Sequence, residues 1–553
     1  MNGKNNFDLI KQDLRLLFLL LTLFISVDRD AYAQGDAIPR LIVKGTASQL
    51  MVDEKPFLIF GGELGNSSAS SLNYMQPIWS TLNQMNLNTV LIPVYWELME
   101  PREGMFDFSL IDSLVDRSRA DHLKVILLWF GSWKNSMSCY VPAWVKTNPL
   151  RFTRAEDHRG KGLEILSAFS EANMHADATA FSALMHHLKE KDKAHTVLMI
   201  QVENEIGMLT EAKEYTREAK YKFNEDVPSE LLTYLVKNKE VLVPELKEHW
   251  SKNGFLTKGN WEKVFGNGLA TDELFQAWYY AKYANTVATA GKKEYPLPMF
   301  VNAALNHRNV LPGQYPSAGP LPHLLDIWQA GAPVVDFLSP DFYNPRFKQY
   351  NDLYTRRNNP LFIPEIKLES SDATTALYAI GHYHALGISP FSVESAKLPD
   401  HGSIAKSYDL LDQLSHEIAL YTGSKQMDAV LLDTSTKKQE LVFGDYTLTL
   451  SHDYTLGWSP EAQNASWPEV SLLIIQTSAD DFIIAGTGGV VTFKHHHAPD
   501  LSVGILQAEE GVFKNQEWIA GRRMNGDQDH QGRHIRIPVG EWSIQKVKLY
   551  TYK

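Results

Sequence analysis

Short apolar runs alternate with longer amphipathic segments along most of the chain, from about residue 41 to residue 422. Lys124–Phe130 has the length and composition of a strand buried on both faces, and Ser109–Ala120 places its apolar residues at helical spacing. Strands that alternate with helices form βα units around a parallel sheet. Eight strand candidates, the first ending near Glu63 and the last near Glu394, are the number that a closed barrel needs. The pattern therefore predicts an α/β fold with a (β/α)8 TIM barrel.

Two segments depart from this alternation. Between residues 208 and 265 the charge density rises and the spacing is helical, which predicts a long helical insertion in the loop after the fourth strand. After about residue 425, alternating strands such as 446–450 are separated by Gly, Asn and Asp turns, as in an all-β sandwich. We therefore predict a catalytic barrel at 34–425, with its insertion at about 208–265, and a C-terminal β-sandwich domain at 426–553.

The first residues have the pattern of a secretory signal peptide. Three basic residues precede the apolar run 16–25, and Ala31-Tyr32-Ala33 supplies the small-x-small pattern of a cleavage site. The run is short for a membrane span, although an uncleaved anchor is the alternative. We predict a signal peptide at 1–33, Gln34 as the mature N-terminus, and export to the periplasm or the extracellular space.

Composition excludes several classes of site and partner. Cys139 is the only cysteine in the 553-residue chain, so the sequence holds no intrachain disulfide and no cysteine-based metal site. The formal net charge of −12 argues against nucleic acid as a partner. No second apolar run reaches membrane-spanning length. The oligomeric state is left open.

Two glutamates each stand at the end of an apolar run. Glu205 follows the run that begins at Leu198, and Glu365 lies in the run 360–366. In a (β/α)8 barrel, carboxylates at the C-terminal ends of strands collect at the mouth where chemistry takes place. One protonated and one ionised carboxyl are the minimum equipment for cleaving a glycosidic bond. For either residue alone, a strand cap or a surface ion pair is the alternative.

Several motifs resemble glycoside hydrolase family 35, the β-galactosidase family within the large barrel clan of retaining glycosidases. They occur in the family's order at residues 61–64, 87–90, 95–108 and 201–207. The segment 518–527 is similar to the bacterial branch of that family, which has an appended β domain of unassigned role. The resemblance implies an exo-acting, retaining β-galactosidase, which the predicted signal peptide would export. We expect no metal and no organic cofactor, because the order of motifs suggests no metal triad and no Gly-rich phosphate fingerprint follows a strand. It also implies galactosyl side chains of plant polysaccharides such as xyloglucan as substrates.

The resemblance assigns separate roles to the two glutamates. Glu205, which follows Asn204, matches the clan's acid/base position at the end of the fourth strand, and Glu365 matches the nucleophile at the end of the seventh. A retaining mechanism needs the two carboxyl groups roughly 5–5.5 Å apart. We expect the pKa of Glu205 to be raised while Glu365 is ionised, and to fall once Glu365 is esterified.

Eight further residues are candidates for binding substrate. Asn204 is expected to hydrogen-bond the sugar 2-hydroxyl, the alternative being that it orients Glu203 or a loop. Tyr343, at the end of the sixth strand, is placed to donate a hydrogen bond to Glu365, although it could equally be a buried tyrosine with a satisfied hydroxyl. The remaining candidates lie at or just after strand ends, where they either line the sugar pocket or pack: Tyr95, Glu97, Trp133, Asn135, Asn302 and Trp328.

The loop after the third strand does not determine which sugar is recognised. Its sequence, 129–135, differs from the Pro-Gly-Pro-Tyr run of many family members, and that loop helps to recognise galactose in them. The same mechanism on a β-glucoside or an α-L-arabinopyranoside is therefore an alternative. A glycan-binding protein without catalysis is the alternative from another class, disfavoured because both carboxylates are present.

Overall fold

Eight parallel strands form a closed barrel in the computed structural model, which describes residues 38–305, 310–343 and 346–553. The strands follow one another around the barrel in chain order, and the eighth pairs with the first. The predicted α/β barrel is thereby confirmed. The barrel strands are Ile59–Glu63, Thr89–Tyr95, Lys124–Phe130, Val197–Gln201, Met299–Ala304, Phe337–Phe342, Phe362–Ile366 and Gly387–Pro390. The predicted signal peptide lies outside the described residues.

The apolar runs form the barrel because helices cover its outer face. Every residue of Thr89–Tyr95 and Phe362–Ile366 is buried, as expected of parallel strands whose two faces are both covered. The predicted end of the eighth strand near Glu394 is wrong, because the strand ends at Pro390. Ser392 adopts a left-handed φ of 53°, which an extended strand does not accommodate, and a short 3-10 helix, Val393–Ser395, follows.

The helices between the strands include the predicted Ser109–Ala120 with both of its ends. The α-helices are Leu72–Met75, Ile78–Gln84, Trp96–Met99, Ser109–Ala120, Ala143–Lys146, Glu171–Lys191, Arg217–Asn224, Ser229–Lys237, Pro244–Ser251, Trp261–Phe265, Leu269–Glu294, Leu325–Gly331, Phe347–Tyr354, Asp372–Tyr383, Leu398–Gln413 and Ser415–Tyr421. Four of them lie within 208–265. The 3-10 helices are Ser68–Ser70, Pro322–Leu324, Arg356–Asn358, Val393–Ser395, Asp453–Leu456 and Pro460–Gln463. None of the helices in the described ranges is long and apolar enough to cross a membrane.

Two small antiparallel sheets accompany the barrel. Three strands, Arg40–Lys44, Ala47–Val52 and Lys55–Phe57, precede the first barrel strand. A hairpin of Arg154–Glu156 and Gly162–Leu166 lies in the connection between the third and fourth barrel strands.

The C-terminal region is all β, as predicted, and consists of two antiparallel sheets around one apolar core. Tyr446–His452 shows why the sequence folds this way, since its residues alternate strictly between buried and partly exposed positions. The six-stranded sheet has the order Met427–Leu432, Val470–Gln476, Asp481–Thr487, Ser543–Tyr552, Ser502–Lys514 and Glu517–Arg523. The four-stranded sheet has the order Lys438–Phe443, Tyr446–His452, Gly489–His495 and Ile535–Ile537.

The helix Asp372–Tyr383 joins the barrel to the six-stranded sheet. It directly follows the barrel strand that carries Glu365, and it packs against the strands Met427–Leu432 and Val470–Gln476. Its Gly381 faces this contact, where an added Cβ would lie 2.6 Å from Ala429 Cβ and 2.6 Å from Leu473 Cδ1. Glycine is therefore required here by the close approach of the sheet.

Two glycine-to-alanine substitutions are expected to have opposite effects on stability. G381A should lower the free energy of unfolding by about 1–3 kcal/mol, because the new methyl overpacks the contact between helix and sheet. G402A should raise it by about 0.5–1 kcal/mol, because Gly402 is also helical but has no neighbouring atom within 4 Å of an added Cβ. Thermal unfolding of both variants beside the parent protein measures the difference. Equal stabilisation by both would contradict the close packing at Gly381.

Candidate active site

Four strand-end carboxyl groups are buried together at the barrel mouth. Glu63 ends the first strand, Asp341 lies near the end of the sixth, and Glu365 lies near the end of the seventh, while Glu205 follows the fourth. One carboxylate oxygen from each of Glu205, Asp341 and Glu365 lies within 4.8 Å of the other two. The structure thus brings the two predicted glutamates together. Glu63 and Asp341 were missed, although each also stands at the end of an apolar run, which is the signal that identified the other two.

Burial and mutual charge separate the two central glutamates. Burial raises the pKa of Glu205 to about 7, the negative charge of Glu365 acts in the same direction, and Lys134 opposes both. Burial also raises the pKa of Glu365, but there the charge of Lys134 and a hydrogen bond from Tyr343 act to lower it. The arrangement therefore favours an ionised Glu365 beside a protonated Glu205.

Glu365 has one anchored oxygen and one free oxygen. The hydroxyl of Tyr343, whose side chain is 46% exposed, donates a hydrogen bond to Glu365 Oε1. Glu365 Oε2 is buried without a hydrogen-bond partner in the part of the chain that the structure describes. Such a carboxylate is fixed in orientation while its second oxygen keeps its lone pairs for another group.

Glu205 lies in a turn of unusual backbone conformation. The fourth strand ends at Gln201, and Glu203 and Glu205 then adopt left-handed φ values of 61° and 46°. In the facing loop after the third strand, Asn135 and Ser136 have φ values of 55° and 57°. Non-glycine residues in this region each carry strain on the order of 1–3 kcal/mol and persist only where their surroundings hold them.

Three hydrogen bonds from the facing loop hold this turn in place. The Trp133 N–H donates to Glu203 Oε2 at 2.9 Å, and Ser136 Oγ donates to the Glu205 carbonyl at 2.7 Å. Between them, Lys134 Nζ donates to Asn204 Oδ1 at 2.7 Å. The two strained segments therefore fix each other, and together they set the direction of the Glu205 side chain.

Asn302, predicted to line the sugar pocket, connects the acid cluster to the turn. Its Oδ1 accepts the Glu205 N–H at 2.9 Å, and its Nδ2 donates to Asp341 Oδ2 at 2.6 Å. Burial, followed by the charges of the neighbouring carboxyls, raises the pKa of Asp341 well above its ordinary value. Asn302 thus orients both Glu205 and Asp341 from the fifth strand.

Three other predicted binding residues lie in the Glu205 turn or in the loop that faces it. Asn204 is fully buried and belongs to the cluster through Lys134, and the exposed Asn135 also accepts a hydrogen bond from Lys134 Nζ. Trp133 is buried against Tyr280 and Tyr283.

The remaining candidates pack or pair within the protein, and their contact with a sugar stays a prediction. Tyr95 is buried against Phe130 and Tyr140. Glu97 forms a 3.4 Å ion pair with Lys146. Trp328 is fully buried on the helix Leu325–Gly331, and its indole N–H donates a hydrogen bond to the Ala318 carbonyl at 3.0 Å.

The acid cluster is also the geometric candidate for a cation site. Among the described residues, Glu205, Asp341 and Glu365 are the group whose oxygens converge in this way. Three protein groups already compensate the cluster, since Lys134 lies beside it, Asn302 binds Asp341, and Tyr343 binds Glu365. The donor set therefore fits proton chemistry better than a resident metal, and the metal-free site stays a prediction.

Comparison with protein families tests what kind of barrel this is. One family model matches residues 70–265, which include Glu205 and its turn. It is the glycoside hydrolase family 42 model, described as β-galactosidase. The predicted membership of glycoside hydrolase family 35 is therefore wrong. The motifs behind it, such as Asn204-Glu205 after a buried strand, reflect a barrel with carboxylates at its strand ends and do not separate one family from another.

Residues 404–536 match a second family model, described as a domain of unknown function (DUF5597). A curated β-galactosidase from Xanthomonas manihotis is 27% identical over 204 residues, which are 36% of this chain and 31% of that protein. The matched region therefore spans about a third of the length of this relative. The prediction of a glycoside hydrolase domain of β-galactosidase type is confirmed.

Solved structures of β-galactosidases are similar to the chain at low identity. A cold-adapted β-galactosidase from Rahnella sp. R3 is 15% identical with a TM-score of 0.45, covering 67% of this chain and 57% of that one. A catalytic variant of the β-galactosidase Gan42B from G. stearothermophilus is 11% identical with a TM-score of 0.49, covering 89% of this chain and 98% of that one.

Proposed function

We propose that the protein is a retaining β-galactosidase that releases terminal β-galactosyl residues from oligosaccharides or polysaccharides. The observation that carries the proposal is the convergence of Glu205 and Glu365, because one carboxylate oxygen of Glu205 lies within 4.8 Å of one carboxylate oxygen of Glu365. Retaining glycosidases hold their two carboxyl groups about 5–5.5 Å apart, whereas inverting enzymes need about 6.5–9.5 Å to admit a water molecule. The separation supports double displacement.

In the first step, the free Oε2 of Glu365 attacks the anomeric carbon as the glycosidic bond breaks. Glu205 transfers its proton to the departing oxygen, so the aglycone leaves as a neutral alcohol and the sugar remains as an ester of Glu365. The loss of negative charge on Glu365 then lowers the pKa of Glu205. Glu205 next takes a proton from water, the hydroxide oxygen attacks the anomeric carbon, and Glu365 leaves as a carboxylate.

The buried position of the pair supports an exo mode of action. Glu205 is 7% and Glu365 is 6% exposed, which favours a sugar at the end of a chain over one inside it. The family 42 match supports galactose, and galactosyl side chains of plant polysaccharides such as xyloglucan are the substrates that we propose. The basic and apolar pattern of residues 1–33 supports export.

A panel of p-nitrophenyl glycosides, with the first-formed anomer followed by proton NMR, tests this function. We expect the β-galactoside to be cleaved with the highest kcat/KM and β-galactose to appear before mutarotation. Faster cleavage of the β-glucoside or α-L-arabinopyranoside would overturn the choice of sugar, and α-galactose as first product would overturn the retaining mechanism. Binding of galactosides without cleavage of any panel member would favour a glycan-binding protein.

A further inference from the structure

A lysine lies among the active-site carboxyls. Lys134 is 4% exposed, and its Nζ donates to Asn204 Oδ1 at 2.7 Å and to Asn135 Oδ1. The same ammonium lies 5.0 Å from the centre of the Phe130 ring. A buried ammonium is costly unless hydrogen bonds and opposite charges compensate it, and here both do.

We propose that Lys134 is a positioning residue that turns the Asn204 amide towards the sugar and keeps the nucleophile Glu365 negatively charged. This inference rests on the proposed function, because it assigns Lys134 to the same site and the same reaction.

The orientation of Asn204 follows from hydrogen-bond chemistry. An ammonium group is only a donor, so the Asn204 side chain must present its carbonyl oxygen to Lys134. Its Nδ2 is then buried without a partner among the described residues. A buried amide N–H2 without a partner is costly, unless a ligand supplies the acceptor. The 2-hydroxyl of a bound sugar is an acceptor of the kind that this position needs.

The charge of Lys134 reaches every carboxyl of the cluster. It acts to lower the pKa of Glu63, Glu205, Asp341 and Glu365, in each case against the larger effect of burial. The groups that face the cluster from the surrounding elements are Glu63, Lys134, Glu205, Asp341, Tyr343, Glu365 and Glu394. Among these groups Lys134 is the cation, and its charge favours a negative charge within the cluster. The hydrogen bond from Tyr343 favours Glu365 as the carboxyl that carries it.

A buried acid pair holds the base of the lysine's loop. Glu203 accepts a hydrogen bond from the Trp133 N–H. Asp177 accepts one from the Ser132 hydroxyl at 2.5 Å and one from the Trp129 indole N–H at 2.9 Å. Burial and the nearby charge of Asp177 raise the pKa of Glu203 well above its ordinary value, which favours the neutral form of Glu203. These contacts fix the loop that carries Lys134, as a positioning role requires.

The pH dependence of kcat/KM for an aryl β-galactoside distinguishes this role from simple packing. In K134M, the pKa values of both Glu365 and Glu205 rise, so the acidic and the basic limb should each move to higher pH by about 1 unit. K124M is the matched control, because Lys124 begins the same strand at the opposite end of the barrel, and its limbs should stay in place. A uniform loss of activity in K134M without a shift would overturn the charge role.

A 2-deoxygalactoside tests the orientation of Asn204. Removing the 2-hydroxyl should cost the parent enzyme more kcat/KM than it costs K134M, and the ratio should differ by about fivefold. K134Q separates the two roles, because a neutral amide still donates to Asn204 Oδ1 while it lacks the charge. We expect K134Q to shift both limbs and to keep the full 2-deoxy penalty. An unchanged penalty in K134M would overturn the orientation role, and K134Q serves for the charge role if K134M does not fold.

A titration that needs no turnover keeps this inference separate from the proposed function. The Glu365 carboxyl is followed by 13C NMR across pH and assigned with E365Q. A higher midpoint in K134M or K134Q than in the parent protein supports the charge role, even if no panel glycoside is cleaved. Equal midpoints overturn it, even if the enzyme is an active β-galactosidase.

Discussion

E365Q is expected to lower kcat/KM for an aryl β-galactoside on the order of 10⁴-fold while leaving the fold intact. The amide still accepts the hydrogen bond from Tyr343, but it is no nucleophile, so the covalent route is closed. A loss of this size corresponds to about 5.4 kcal/mol of transition-state stabilisation at 1.36 kcal/mol for each factor of ten. Steady-state kinetics and thermal unfolding on the same preparation measure both parts of the expectation.

A second variant at the same position tests the proposed attack of Glu365 and the face of the sugar from which it occurs. E365G leaves room for a small anion, and added azide should restore turnover and yield the α-galactosyl azide, since the anion enters from the nucleophile's side. The matched control is E240Q, because Glu240 is an exposed glutamate paired with Lys247. Near-full activity of E365Q, or a β-azide from E365G, would remove Glu365 from the role of nucleophile.

E205Q is expected to show a loss that depends on the leaving group. Galactosides of poor leaving groups such as alkyl alcohols need protonation and should lose about 10²–10⁴-fold in kcat/KM. A dinitrophenyl galactoside departs without a proton, so its first step should be nearly unchanged and its glycosyl-enzyme should accumulate. The ratio of kcat/KM between alkyl and dinitrophenyl substrates is the measurement.

The pH profile gives E205Q an independent readout. In the proposed mechanism Glu205 must be protonated to release an alkyl alcohol, so the kcat/KM of the parent enzyme for alkyl galactosides should fall as pH rises through the pKa of about 7. E205Q has no proton to lose there, so the basic limb should be absent from its residual kcat/KM for the alkyl galactosides, which need that proton. Equal losses for both substrates, or a basic limb that persists, would assign the acid/base role to another residue.

Local patterns in the sequence were sufficient to predict the barrel. Runs such as Lys124–Phe130 form strands because covering helices require both faces to be apolar, and the structure places this strand with the predicted ends. The eighth strand ends earlier than predicted because of the left-handed Ser392, and the apolar run that continues through Val393 conceals this turn. Composition does not encode a single backbone angle, so this boundary could not be predicted.

The site was only partly predictable for a different reason. Glu205 and Glu365 were predicted from their strand-end positions, and Glu63 and Asp341, which were not predicted as site residues, stand at the same kind of position. Lys134 carries no such signal, because it lies in a loop and meets Asn204 only because the third and fourth strands pair in the folded barrel. Its hydrogen-bond partner Asn204 is 70 residues away in sequence, and Asp341 and Glu365 are farther still, so no local pattern relates them. The prediction of glycoside hydrolase family 35 was wrong because related barrels share these carboxylate motifs.

The backbone of the Glu205 turn has a consequence for engineering this protein. Glycine adopts the left-handed region without penalty, so heat selection alone would favour glycine at Glu203 and Glu205. The same selection would favour apolar replacements of the crowded, buried carboxyls, whose charges oppose folding. Libraries enriched only for thermal tolerance should therefore accumulate well-folded, inactive members. Turnover must be scored in every round, because the residues proposed to carry catalysis are also those whose replacement should raise stability.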